Sequence, residues 1–334
     1  MKSDLIDRLV NTQTVRFTAD WQAAHQKFSE IVYPNRPSRR DYKYLEVKLV
    51  DRTREGPNLL LAVSGEKVVG QLGLIEVEAC LENSIYRSVW GVNLVVLPEF
   101  LGAGYGGLLE LRALQDYKLL LGYGVSPDSM RNQSKRGAFV AAGPRMAYGA
   151  AAKSSVLNRS SLVKLASRLL ELTGQLATEF IFKHTDDPAV EEDVHRIVEW
   201  LLSRHFVRGN SIHHDALFYE KRLVMPATNT KKCFTLLVLS DSYVLIDRSS
   251  VASITDFHFE SLWDGIKLMG FACAVYGVNR NSAPVLVNLS RDVIIFFLTG
   301  FLVSPKRQPV YINGWDGSPI KRFYMSGLDG DVSI

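Results

Sequence analysis

The order of apolar and polar positions divides the chain into a series of short elements. Thr14–Ala19 reads as a short strand and Trp21–Ile31 as a helix. Two prolines mark Pro34–Asp41 as a loop. Asn58–Ala79 holds two apolar, β-rich runs on either side of Ser64-Gly65-Glu66-Lys67, which predicts a hairpin. Tyr86–Leu97 is a further strand. A glycine-dense stretch follows, then a helix from about Gly107 to Lys118. Leu119–Ser126 is an apolar run of strand length, and a short capped helix ends at Gly137. Ala138–Tyr148 reads as strand and turn.

The second half opens on Ala150–Gly174, rich in Ser, Ala and Leu at helical spacing. Asp186 or Asp187 is expected to cap a helix with Pro188 in its first turn. Cys233–Phe259 reads as three strands joined by turns. A helix over Glu260–Met269, a strand at Ala272–Val278, a helix ending at Leu298 and a last strand at Pro309–Gly314 complete the chain. The element order repeats coarsely: each half runs from a hairpin through strand, helix, strand and helix to a Gly-aromatic corner and a final strand. The corners are Gly137-Ala138-Phe139 and Gly300-Phe301. The fold class expected is α/β with a mixed sheet. Its domains are 1–150 and 178–334, joined by a helical connection at 151–177.

Composition narrows the function classes. With 334 residues, 47% of them hydrophobic and 22% charged, the chain can bury a sizeable core. The net charge of +4 gives no sign of a nucleic-acid partner. Basic groups at Arg36, Arg39, Arg40 and Lys43, and at Lys231 and Lys232, read as solvated charge, with an anionic ligand as the alternative. Cys80, Cys233 and Cys273 are far apart and form no C-x-x-C pair, which points to free thiols in a reducing cytoplasm and to no metal site. The N-terminus carries two aspartates and no long apolar core, unlike a signal peptide. The longest apolar stretch, Val293–Val303, is short of the roughly 20 residues of a membrane span and reads as a buried helix ending near Gly300.

The glycines at 102, 104, 106 and 107 demand an explanation, because each costs about 0.5–1 kcal/mol inside a regular element. Gly102, Gly104 and Gly107 fit the G-x-G-x-x-G dinucleotide fingerprint. A hairpin precedes them, however, and Pro98-Glu99-Phe100-Leu101 separates them from the strand, so a βαβ nucleotide site is disfavoured. A second template fits better: Val-x-Pro-Glu-aromatic-x-Gly-x-Gly-x-Gly at Val96, Pro98, Glu99, Phe100, Gly102, Gly104 and Gly106, with an apolar helix following. Successive backbone N–H groups at a helix start form an anion nest that the helix dipole reinforces. A pyrophosphate approaches only where no Cβ intervenes.

This stretch resembles motif A of the GCN5-related N-acetyltransferases, and the resemblance covers about Thr14–Ala150. It implies that fold, followed by a degenerate copy that lacks the glycine loop. It also implies acetyl-CoA or another acyl-CoA as co-substrate. Phosphates would lie on the backbone of Gly102, Ala103, Gly104, Tyr105, Gly106 and Gly107, and the pantetheine arm on Leu94, Val95 and Val96. The family usually has Arg or Gln before the first glycine; here the residue is Leu101.

Acyl transfer to an amine also needs an acceptor for the amine's proton and a donor for the leaving thiolate. The acidic residue that many members carry on the motif strand corresponds to Asn93, which can only orient water or acceptor. Glu76 and Glu78 alternate to one face of the preceding strand and could act through water. The family's tyrosine acid falls at Gln133 or Ser134, leaving Ser134 as a weak donor; Tyr105 and Tyr123 read as packing. His213 and His214 are adjacent, a spacing unsuited to zinc, and stand as acceptor contacts or a base from the second domain.

The two-part plan and the "FYMSGLDGDVS" ending look like acetyltransferase-family proteins of surface-polysaccharide and sugar modification. That likeness implies a small-molecule amine acceptor, an amino sugar or a nucleotide-linked one, with the second domain on the acceptor side. The rivals are a non-catalytic acyl-CoA-binding or scaffold protein and an aminoacyl-tRNA-dependent transferase of the peptidoglycan-bridge type.

Overall fold

The computed structural model describes residues 12–36, 40–42, 45–46, 49, 56–124, 127–135, 137–149, 187–204, 209–249, 251–280, 285–326 and 328–329. The helical connection expected at 151–177 lies outside the described residues. The chain divides into two compact units, Met1–Ala141 with Val310–Ile320, and Ala142–Pro309 with Lys321–Ile334.

In unit 1 the elements are β1 (Thr12–Arg16), α1 (Gln22–Val32), β2 (Leu59–Ser64), β3 (Lys67–Leu81), β4 (Ser84–Val96), α2 (Tyr105–Asp116), β5 (Leu119–Tyr123) and α3 (Pro127–Lys135). β1 to β4 form an antiparallel meander, and β5 joins β4 in parallel. The β3–β4 hairpin turns on Glu82 and Asn83, both at positive φ, as the twist of a two-residue hairpin loop requires. Val310–Asn313 then adds to β5 in antiparallel register, Val310 opposite Tyr123. Leu60, Ala62, Val69, Leu74 and Val89 of the sheet and Leu109 and Ala113 of α2 form one side's core. The 3.6-residue period of α2 meets the two-residue period of the strands there.

Unit 2 takes the second half of β6 (Phe139–Gly149) and continues with β7 (Ala189–Glu191), α4 (Val194–Ser203), β8 (Ser211–His213) and α5 (Ala216–Tyr219). A π-turn at Glu220–Val224 leads to α6 (Met225–Thr230) and a meander of β9 (Phe234–Leu239), β10 (Ser242–Asp247) and β11 (Ser253–His258). α7 (Leu262–Phe271), β12 (Val285–Val287), α8 (Ser290–Leu298) and β13 (Phe301–Asn313) follow. The four-stranded sheet has the order β11-β10-β9-β7, and β12 pairs with β6, Val285 opposite Ala147. Phe257, Phe259, Leu268, Met269, Ile295, Phe296 and Phe301 centre its core.

Three local expectations are corrected. The helix expected at Pro188 begins at Val194, because Asp193 caps it, accepting from the His195 and Arg196 N–H groups at 2.8 and 3.2 Å; Asp186 lies outside the described residues. Ala189–Glu191 pairs with β9 instead. The strand expected at Ala272–Val278 is a π-turn, Ala272–Tyr276, that runs on from α7 and stops at Gly277 with φ 66°. Ala272 and Cys273 extend the helix's buried face, and burial pushes the Cys273 thiol up to about 12. The strand of this half lies later, at β12. The helix within Val293–Val303 is buried on one side only: Ile295 and Phe296 face the core, while Ile294, Phe297 and Leu298 are exposed.

Candidate functional site

The site is built around an irregularity in β4. From Leu81↔Ser84 to Gly73↔Val92 the β3–β4 register is regular. It then shifts, so that Gln71 stands opposite Val95. Three steps on β4 answer two on β3, which is a bulge. Asn93 occupies it at φ 53°, a left-handed conformation that asparagine tolerates better than most residues. β3 makes room by giving up side chains: a Cβ at Gly73 would meet the Val92 Cγ2 and carbonyl at 3.1 and 3.2 Å, and one at Gly70 the Val95 carbonyl at 3.3 Å.

The other flank of β4 opens at the same level. Its parallel pairing with β5 spans Ser88, Val89 and Trp90, opposite Leu119, Leu120 and Leu121. Those three residues are buried, whereas each of Gly91–Val96 is partly exposed. β4 therefore runs on past the end of its pairing with β5, carrying Asn93, Leu94, Val95 and Val96 on the open stretch.

The glycine loop starts where β4 ends. Pro98–Phe100 forms a 3-10 turn, Gly102 has φ 79°, and Gly104 is the N-cap of α2 at φ 88°. Ala103 and Tyr105 are buried, Tyr105 lying edge-on to Phe100 at 5.6 Å, so side chains alternate inward while Gly102 and Gly104 face solvent. Gly104, having no side chain, gives α2 no N-cap side-chain bond. Its first helical bond runs from the Leu108 N–H to the Gly104 carbonyl at 3.1 Å. The N–H groups of a helix's first turn fall outside its i→i−4 ladder and stand at the positive end of its dipole. Nearby, Glu99 is matched by Lys67 at 3.0 Å, so the one acidic group of the loop is neutralised. Leu101 is 67% exposed and adds no charge. An uncapped, glycine-lined helix start beside an open strand fits a pyrophosphate and the amide-bearing arm of an acyl-CoA.

On the β3 side a buried polar cluster meets the bulge. The Gln71 amide nitrogen donates to the Asn93 carbonyl at 3.4 Å and to the Tyr33 hydroxyl at 3.1 Å, and its oxygen lies 2.9 Å from His25 Nε2. Burial lowers the His25 pKa from its ordinary 6.5, so the ring is neutral at pH 7. Sequence reasoning missed these three residues. The signal was Gln71 itself, an uncharged polar residue in an apolar strand, because a buried amide must find partners.

Glu76 and Glu78 lie further along β3. Glu76 stands opposite Val89, where β4 is still paired with β5. It is buried and bound by Arg87 at 2.6 Å. Glu78 lies two residues further from the bulge, opposite Arg87. Ser134 is exposed on α3, and the buried Gln133 before it donates to Glu110 at 3.3 Å. In unit 2, His213 is exposed at the end of β8, and His214 stacks on Phe218 and bonds the buried Asp329 at 2.5 Å. Among the described residues no group of three or more His, Cys, Asp or Glu side chains could hold a metal ion, and no helix is long and apolar enough to cross a membrane.

No family model and no curated protein matches the chain. Solved structures do. A GCN5-related N-acetyltransferase from Anabaena variabilis superposes with a TM-score of 0.55 at 11% identity, over 90% of this chain and 72% of that one. One from Kribbella flavida gives 0.53 at 15% identity, over 90% and 71%. The GCN5-related glucosamine N-acetyltransferase region of a fungal multi-domain β-N-acetylglucosaminidase gives 0.52 at 12% identity, over 90% and 38%. The chain has the fold of the GCN5-related N-acetyltransferases.

Proposed function

We propose that the protein is an N-acyltransferase that moves an acetyl or short acyl group from acyl-CoA to a primary amine, with an amino sugar as the acceptor class. The observation that carries this reading is the conjunction of two features on consecutive residues: the open, bulged end of β4 and the uncapped glycine start of α2. Either alone is common. Together they offer an anion nest and, one strand end away, unpaired backbone edge for an extended amide chain.

In this reading the amides of Gly102–Gly107 hold the pyrophosphate, and Leu94, Val95 and Val96 bond the pantetheine arm as an added strand would. A backbone N–H at the bulge donates to the thioester oxygen, which becomes an oxyanion as the neutral amine attacks. The C–N bond forms, the C–S bond breaks, and the thiolate leaves. Water held at Asn93 relays the amine's proton to the leaving thiolate. The amino-sugar assignment draws on the likeness to sugar-modifying acetyltransferases and on the glucosamine N-acetyltransferase among the similar folds.

Thiol release from acetyl-CoA with a panel of amino sugars, amino acids and polyamines tests it. The expected result is amine-dependent release, fastest with an amino sugar. CoA binding without release for any amine would make the protein a binder and not an enzyme.

A further inference from the structure

We infer that Gln71 is a positioning residue for the transfer step: it turns the Asn93–Leu94 peptide so that the Leu94 N–H faces the thioester oxygen. The inference rests on the acyltransferase reading and adds to it the group that sets the oxyanion donor.

The argument begins with the peptide plane. In a trans peptide the carbonyl and the next N–H point in opposite directions. The Asn93 carbonyl is turned to the Gln71 amide at 3.4 Å. The Leu94 N–H therefore points away from the Gln71 amide. At a bulge the regular ladder is interrupted, so side-chain bonds gain weight in setting the peptide plane, and Gln71 supplies one of them.

Gln71 is itself held. It is 3% exposed, and its amide has three partners drawn from two elements. The amide nitrogen serves the Asn93 carbonyl and the Tyr33 hydroxyl; the oxygen accepts from His25. An amide oxygen can only accept, so the His25 proton sits on Nε2. His25 lies on α1 near Ser29, whose hydroxyl is 3.4 Å from the same nitrogen. Tyr33 closes the end of α1, its N–H bonded to the Ser29 carbonyl. His25 in the first turn of α1 and Tyr33 at its C-cap thus fix the rotamer of Gln71, and Gln71 bonds the bulge. A methionine would fill the same volume without either hydrogen bond, which separates packing from orientation.

Calorimetry and steady-state kinetics on the full chain test the inference with Gln71→Met and Tyr33→Phe. The probes are CoA and acetylcarba(dethia)-CoA, an unreactive ketone in which CH2 replaces the thioester sulfur, so that its carbonyl occupies the place of the thioester carbonyl. The expected result is that Gln71→Met binds CoA within about twofold of the original protein but loses about 5–10-fold of any preference for acetylcarba(dethia)-CoA, while kcat falls about 10–100-fold at unchanged acetyl-CoA KM. Tyr33→Phe should show the same split at about 2–5-fold, since it frees one of Gln71's two donor hydrogens. Equal loss for both probes would make Gln71 merely structural, and an unchanged ratio with unchanged kcat would overturn the inference directly. If the original protein binds neither probe, the acyl-CoA reading itself falls and this inference with it. That failure shows before any variant is made.

Discussion

Each unit runs from an antiparallel meander into a helix, and the two helix starts are finished in opposite ways. After β11 in unit 2, Phe259-Glu260-Ser261 leads straight into α7. Ser261 caps it, accepting from the Asp264 N–H at 3.0 Å while its hydroxyl donates to the Asp264 carboxylate at 2.8 Å. That pair satisfies one of the helix's first backbone donors, the Asp264 N–H, from within the chain. After β4 in unit 1, the chain instead spends Leu97–Leu101 and two positive-φ glycines before α2, and leaves its start without a side-chain cap. The glycines differ in the same sense. A Cβ on Gly265 of α7 would strike Ile295 at 2.4 Å and Phe259 at 2.9 Å, so that glycine serves packing. A Cβ on Gly102 would meet nothing within 4 Å. Room is kept there without an internal occupant. A capped helix start is a structural end, and an uncapped one beside open backbone is a place for an anion.

The comparison breaks most sharply if the first start is given the second's chemistry. Gly104→Asp keeps a residue type that tolerates left-handed φ and supplies a capping carboxylate. It should lower CoA affinity at least about 100-fold by occupying the amides and repelling phosphate, with the melting temperature unchanged or raised; calorimetry and a thermal melt decide. Gly265→Ala should cost about 1–3 kcal/mol of stability by overpacking, with CoA affinity unchanged; denaturant titration reads it. His214→Ala should cost a similar 1–3 kcal/mol by leaving the buried Asp329 short of its partner, again without touching CoA affinity. Ser261→Ala should cost about 1 kcal/mol and no affinity.

A smaller effect sharpens unit 1. His25 has a folded pKa below its ordinary 6.5, so below that pH the unfolded chain binds more protons than the folded one. Stability should therefore be full at pH 7.5 and decline as the pH falls through 6.5 toward the folded value. His25→Gln should flatten that slope, measured by urea unfolding at pH 7.5 and 5.5.

The parts legible in the sequence were those whose cause is local. The loop announced itself by glycine density between apolar runs, and the hairpin by its turn residues. The meander of unit 2 followed from short β-rich runs. What stayed hidden depends on distant partners. Gln71 meets Tyr33 and His25 across 38 and 46 positions, and nothing near it in sequence names them. Val310–Asn313 closes unit 1 against β5, an antiparallel pairing that Asn313 reinforces by donating to the Leu120 carbonyl across 193 positions. At the start of α4 the difficulty was competition: Asp186, Asp187 and Asp193 are all possible caps, and the apolar period set by Ile197 and Leu201 selects the last. The π-turn after α7 read as a strand because a short apolar run has no period long enough to separate the two.

The central claim is that the amides of the glycine loop hold the phosphates of an acyl-CoA, and glycine-selective nitrogen labelling tests it most directly. Titration of acetyl-CoA into the labelled protein should move the amide resonances of Gly102, Gly104, Gly106 and Gly107, while Gly65 and Gly265 stay in place. S-acetylpantetheine, which lacks the pyrophosphate, should leave the four loop glycines nearly unmoved. If acetyl-CoA binds and those four resonances do not shift, the loop is a turn without a ligand and the account is wrong.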